Sequence, residues 1–166
     1  MIIVQNEKCS EYFRKIGMSR DNANAANIAA DYKDNDHLTI PFPSIERLNR
    51  LSYIISIGSG REEWKMLYIS EFSINPECED LNLYYSFSKH HGSMGTLDDN
   101  RGHVFQSYEY HELASLTTIC ILNAFDSLII SRNDYTRIST SHHGFIDIYT
   151  KDPDIIKAIS ENLNVS

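Results

Sequence analysis

The last third of the sequence contains three short apolar segments, and turn residues separate them. The segments cover residues 128–130, 135–140 and 145–149, with Asn133-Asp134 in the first turn and His142-His143-Gly144 in the second. Asn, Asp and Gly tolerate the backbone conformations that tight turns between strands require. The pattern therefore predicts a meander of strands, and this meander sets the fold class of the chain.

Further strands are predicted upstream of the meander, where β-branched and aromatic residues cluster. They cover residues 37–40, 64–72 and 81–87. In the last of these, residues 81, 83, 85 and 87 are apolar and would share one face of a strand. The acidic residues 76–80 would form the loop that joins the second and third of these strands.

Helices are predicted where apolar residues recur at helical spacing or where a capping residue precedes them. The N-terminal helix has an apolar stripe at Cys9, Tyr12, Phe13 and Ile16, and Gly17 can end it. The others cover residues 21–32, residues 107–123, a segment that starts at Ser44 and stops before residues 58–60, and a segment that starts at Asp152-Pro153.

Strands and helices therefore come in separate groups along the chain, which is typical of the α+β class. We predict a single domain over residues 1–166, with a mainly antiparallel sheet of about five to six strands. Helices from the N-terminal part, the middle and the C-terminus would pack on this sheet. No linker or repeat divides the sequence.

The compartment is predicted from features that the sequence lacks. The N-terminus has no basic region followed by a long apolar run, and no stretch approaches the ~18 apolar residues of a membrane span. The three cysteines are odd in number and far apart, which favours reduced thiols. We expect a cytoplasmic protein that does not bind membranes.

Charge is distributed unevenly along the chain. The net charge is −8, and residues 61–112 hold ten acids against four bases. Phosphate binding needs clusters of Lys and Arg, and the sequence has none. The acidic middle of the chain therefore disfavours nucleic acid as a direct partner and favours a cationic one.

Residues 88–103, with the sequence SKHHGSMGTLDDNRGH, are the strongest candidate for a catalytic loop. The sequence nevertheless meets no ligand-spacing rule for a metal: His111-Glu112 lacks a second His at position 115, and the two His-His-Gly triplets set no geometry. We therefore predict no metal site, no cofactor and no catalytic residues. An enzyme of the hydrolase type, with a dispersed His/Asp site centred on residues 88–103, remains an alternative.

The C-terminal third of the chain resembles the bacterial immunity proteins that neutralise polymorphic toxins, especially those of contact-dependent growth inhibition systems. The resemblance is carried by FDSLIIS at residues 125–131 and by SHHGFIDIYT at residues 141–150. It implies that the chain is not an enzyme and binds the C-terminal domain of a cognate toxin, a nuclease. An acidic surface would cover the basic active-site cleft of that domain.

Candidate contact residues are the acidic clusters and the aromatic residues near them, because charge complementarity steers binding and aromatics supply affinity. An acidic adaptor or inhibitor that binds another basic protein would use the same residues and is a further alternative. The candidates are Asp98, Asp99, Glu77, Glu79 and Asp80, then Asp31, Asp34 and Asp36, with Tyr84 and Tyr108 as the aromatic contacts.

Overall fold

A computed structural model gives the architecture of the chain. The residues that it describes are 1–20, 37–42, 44, 47–52, 64–72, 81–132 and 136–163.

Within these residues, seven strands form one antiparallel sheet with the spatial order β1-β4-β3-β5-β6-β7-β2. The predicted α+β class and the antiparallel sheet are confirmed, with slightly more strands than predicted. The strands are β1 Ile2–Val4, β2 His37–Pro41, β3 Trp64–Glu71, β4 Gly102–Gln106, β5 Asp126–Ser131, β6 Thr136–Ser141 and β7 Phe145–Thr150.

Helices cover both faces of this sheet. They are α1 Asn6–Lys15, α2 Leu81–His90, α3 Tyr110–Leu122 and α4 Pro153–Leu163, and residues 47–52 are also helical. On one face, Met66 and Tyr68 of β3 pack with Cys9 and Phe13 of α1. On the other face, the alternate β3 residues pack in a core cluster that also contains residues of α2, α3 and α4. The middle parts of β3 and β5 therefore read as continuous apolar runs, because both of their faces are buried.

Most of the predicted elements are confirmed. Helix α1 buries Cys9 and Phe13 of its apolar stripe, and β5, β6 and β7 form the meander. Gly144 occupies the turn between β6 and β7 with a φ of +86°, a conformation that favours glycine. The helical segment after Ser44 begins as expected, since the Leu48 amide donates to the Ser44 carbonyl at 3.1 Å.

The predicted strand over residues 81–87 is wrong, because these residues belong to helix α2. The buried residues are Tyr84 and Ser88, four positions apart, whereas Leu83 and Tyr85 are exposed. This spacing is that of one helix face and not of one strand face. The alternation of apolar residues in the sequence had suggested the two-residue repeat of a strand.

Two strands were not predicted. Strand β1 is short, and β4 begins inside the segment proposed as a catalytic loop. They pair with each other, with Ile2 opposite Val104 and Val4 opposite Gly102. Local patterns carry little information on such a contact between distant parts of the chain.

Some predictions concern residues outside those that the structure describes. These are the helix over residues 21–32, the end of the helix that starts at Ser44, and the acidic loop at residues 76–80. Among the described residues, no helix combines the length and the apolar character needed to cross a membrane.

Candidate functional site

Several polar loops meet at one end of the sheet, which we call the Glu71 end. Strand β3 finishes there at Glu71, opposite Asp126 at the start of β5. The turn between β6 and β7 lies at the same end, and so does the start of β4, where Gly102 pairs with Val4. The antiparallel arrangement thus brings the end of the 88–103 segment and the second His-His-Gly triplet to the same end of the sheet.

The segment after α2, residues 92–100, folds back on itself around the carboxylate of Asp99, and we call it the 92–100 segment. The backbone amide of Thr96 donates to Asp99 Oδ2 at 3.1 Å, and the Thr96 hydroxyl donates to the same oxygen at 2.7 Å. These hydrogen bonds lower the pKa of Asp99, and the one from the Thr96 hydroxyl has the larger effect. Leu97 is 1% exposed and anchors the segment in the core. The loop is therefore held in a defined shape.

A groove of about 890 Å³ lies between this segment and the start of α1. The Asn6 amide donates to the Asp99 carbonyl at 2.8 Å, which ties the two parts of the chain together beside the groove. We call it the acidic groove, since four carboxylates and one lysine line it. These charged residues are Glu7, Glu11, Asp98, Asp99 and Lys8.

Exposed apolar side chains border the acidic groove. Met94 is 100% exposed and Ile2 is 55% exposed, and both line the groove. A single exposed apolar side chain is ordinary on a protein surface. Two beside a charged groove offer apolar contact area in addition to charge.

Arg101 links Asp98 to the sheet. Its Nη2 donates to Asp98 Oδ1 at 2.8 Å and its Nη1 donates to the Ser70 carbonyl at 2.6 Å. The guanidinium also lies 4.8 Å from the centroid of the Phe72 ring. Asp98 remains 68% exposed, so its carboxylate is oriented by Arg101 and still accessible.

Tyr84 does not lie where a partner contact would need it. It is 1% exposed, and its hydroxyl donates to the Asn100 carbonyl at 3.3 Å and lies 3.1 Å from His103 Nε2. Burial raises the pKa of Tyr84 and lowers the pKa of His103 to about 4. The expected surface aromatic is part of a buried polar pair, because helix α2 turns Tyr84 inward.

The other predicted contact residues are dispersed. Tyr108 is 75% exposed, but it follows the end of β4 that lies away from the Glu71 end. The remaining acidic candidates fall outside the described residues, namely Asp31, Asp34, Asp36, Glu77, Glu79 and Asp80. The structure therefore brings Asp98 and Asp99 together with Glu7 and Glu11, which sequence reasoning missed. Their only sequence signal is the spacing of four residues on one face of α1.

A second group of side chains at the Glu71 end joins Glu71, Asp126 and His142. One ligand atom from each lies within 4.8 Å of the others. His142 Nδ1 is 3.0 Å from both oxygens of Asp126, and the His142 amide donates to Asp126 Oδ1 at 2.6 Å. The sequence analysis noted His142 only as part of a His-His-Gly triplet that sets no ligand geometry, and it did not indicate these two carboxylates as neighbours of His142.

The sheet carries another exposed pair of His and Asp. His37 Nε2 lies 3.2 Å from Asp147 Oδ1, and the Thr39 hydroxyl donates to the same oxygen at 2.6 Å. The His37 ring stacks on Tyr149 at a centroid distance of 4.4 Å. This pair resembles the His142 group in chemistry and differs from it in lacking a second carboxylate within the described part of the chain.

Comparison with protein-family models, with curated proteins and with solved structures found no match to this chain.

Proposed function

We propose that this chain is a binding protein for a basic protein surface and that the acidic groove is its contact site. The observation that supports this best is the convergence of four carboxylates from α1 and the 92–100 segment on one groove. A groove lined in this way attracts Lys and Arg side chains and repels phosphate.

The carboxylates are positioned before a partner arrives. Glu7 and Glu11 project from one face of α1, and hydrogen bonds fix Asp99 while Arg101 orients Asp98. A rigid arrangement of charges loses less conformational entropy on binding than a flexible one. Met94 and Ile2 would supply the apolar contact that charge alone does not.

The partner that we propose is the C-terminal nuclease domain of a bacterial toxin, as the resemblance to immunity proteins implies. Its cleft must be basic to hold nucleic acid, so it is complementary in charge to the acidic groove. The 92–100 segment would cover the cleft and exclude the substrate. This function places the protein in the cytoplasm of the cell that makes the toxin.

The test begins with recovery of the partner. A tagged chain is used to capture proteins from its native bacterium at low salt, where interfaces between opposite charges are strongest. The C-terminal fragment of a large secreted protein, recovered in near-equimolar amount, is the expected result. Another basic protein would instead support the adaptor alternative, and an empty capture would count against the proposal.

Charge reversal on α1 then tests the groove. We expect Glu7→Lys/Glu11→Lys to weaken binding of the captured domain at least about tenfold, because close charge pairs become repulsive. The matched control is Asp154→Lys/Glu161→Lys, which reverses two exposed charges on α4 and likewise removes one acid from a first helical turn. Isothermal titration calorimetry measures both; equal affinities for the two variants would exclude the groove.

The enzyme alternative has less support from the geometry. Its three histidines lie in different surroundings: His90 and His91 are at the end of α2, whereas His103 is buried in β4. The described surface of residues 88–103 offers carboxylates, and these face the groove.

A further inference from the structure

We infer that Glu71, Asp126 and His142 bind a divalent first-row transition-metal ion. This site is separate from the acidic groove and goes beyond the proposed binding function. No local sequence motif indicated it, because its three residues come from three different segments: the end of β3, the start of β5 and the turn between β6 and β7.

The distances suit a shared ion. Atoms that bind one Zn²⁺-sized ion at about 2.0–2.2 Å lie roughly 2.8–4.4 Å from each other, for angles between 90° and 180° at the ion. The three ligand atoms here already lie within 4.8 Å of one another. Small rotations of exposed side chains are therefore enough to close the site.

The two carboxylates are placed where they would otherwise repel each other. Glu71 and Asp126 are opposite each other in neighbouring strands, just after a register shift between Ile69 and Glu71. Like charges in such a position destabilise a sheet, and a cation between them removes the repulsion. Bulges of this kind often redirect a side chain at a functional site.

The orientation of the ligands is set by the backbone. Asp126 Oδ1 accepts the His142 amide, which leaves Oδ2 for an ion. The Nδ1 atom of His142 faces this carboxylate at 3.0 Å, and any proton on Nδ1 would leave when an ion binds there. A hydrogen bond that fixes a ligating carboxylate is a regular feature of metal sites.

The ligand set selects the class of metal. An imidazole nitrogen with two carboxylates suits Zn²⁺, Mn²⁺ or Fe²⁺, whereas Ca²⁺ and Mg²⁺ prefer oxygen ligands throughout. Glu71 and His142 are both exposed. Three protein ligands at an open surface leave a coordination position for water or for an atom of a partner.

Calorimetric titration of the chelator-treated full chain with Zn²⁺, and absorption spectroscopy with Co²⁺, test the inference. We expect one ion per chain and an affinity that falls at least about tenfold in His142→Ala and in Glu71→Gln. Two controls keep the site intact: His143→Ala removes the adjacent histidine, and His37→Ala removes the histidine of the other His-Asp pair.

The outcome that overturns the inference is an unmodified chain that binds no ion, or one whose affinity is the same in His142→Ala and in His143→Ala. Glu71→Gln keeps the test independent of folding, because Glu71 is exposed and its amide replacement has the same shape. Failure of this site leaves the proposed function untouched, because the site and the acidic groove share no residues. The Glu7→Lys/Glu11→Lys variant should accordingly bind the ion normally.

Discussion

Gly102 of strand β4 packs directly against Cys9 of helix α1. A Cβ atom at this position would lie 2.5 Å from Cys9 Sγ and 3.3 Å from Val4 Cβ. The first distance is shorter than packed atoms tolerate, and the cysteine is fully buried. Position 102 therefore requires glycine because of packing.

We expect Gly102→Ala to lower the free energy of unfolding by about 1–3 kcal/mol, the usual cost of overpacking a core. Cys9→Ala removes the atom that the new methyl group meets. The double variant should therefore lose less unfolding free energy than the two single variants lose together, and urea unfolding measures all three. Strictly additive losses would mean that Cys9 is not the source of the clash.

His103 is a buried histidine in β4, the strand next to the edge strand β1. It is 0% exposed, and burial lowers its pKa to about 4 from the ordinary value of 6.5. The unfolded chain therefore binds a proton at this residue between pH 6.5 and 4, while the folded chain does not. Stability must fall as the pH falls through this range.

The expected loss from His103 is about 3 kcal/mol between neutral pH and pH 4, and little more below that. His103→Gln removes the titration and keeps a polar partner for the Tyr84 hydroxyl. Urea unfolding between pH 7 and pH 4 should show a smaller pH dependence in His103→Gln than in the unmodified chain or in the exposed control His143→Gln. The same slope in all three would contradict the buried neutral state.

Helix α2 shows how one short element can be assigned to the wrong class. Residues 81–87 alternate between apolar and polar side chains, but Leu83 and Tyr85 are among the exposed large residues of the protein. The helical contact is made instead by Tyr84 and Ser88, which face inward together. Tertiary packing therefore decided between the two-residue period of a strand and the 3.6-residue period of a helix.

Substitutions at Ser86 distinguish a helix from a strand at this position. Ser86 is exposed within α2, so intrinsic propensity dominates the effect of a substitution there. We expect Ser86→Ala to be more stable than Ser86→Val by about 0.5 kcal/mol in chemical unfolding. A strand would give the opposite order, because valine is the better strand former.

Local patterns were sufficient for the elements whose contacts are local. The meander of β5, β6 and β7, the stripe of α1 and the start of α4 after Asp152 all follow from neighbouring residues. The Asp154 amide donates to Asp152 Oδ1 at 3.0 Å, which is the capping contact that the sequence suggested.

Long-range pairing was beyond such patterns, and the candidate sites depend on it. Strand β4 is recognisable only beside β1 and β3, and its pairing with β1 places Asp98 next to the residues of α1. Glu71, Asp126 and His142 likewise meet only once three strands are in register. The sequence supplied some of the right residue types, and the fold supplied their neighbours.

The strand order also determines when the sheet can be completed during synthesis. The two edge strands, β1 and β2, come from the beginning of the chain, yet β1 pairs with β4 and β2 pairs with β7. While the ribosome is still making the middle of the protein, both edge strands therefore lack their partners. Short strands, with a proline at the end of β2, are poor templates for pairing between nascent chains. Strand β1 can thus pair as soon as β4 leaves the exit tunnel, whereas β2 waits on the growing chain until β7, the last strand, follows and closes the sheet.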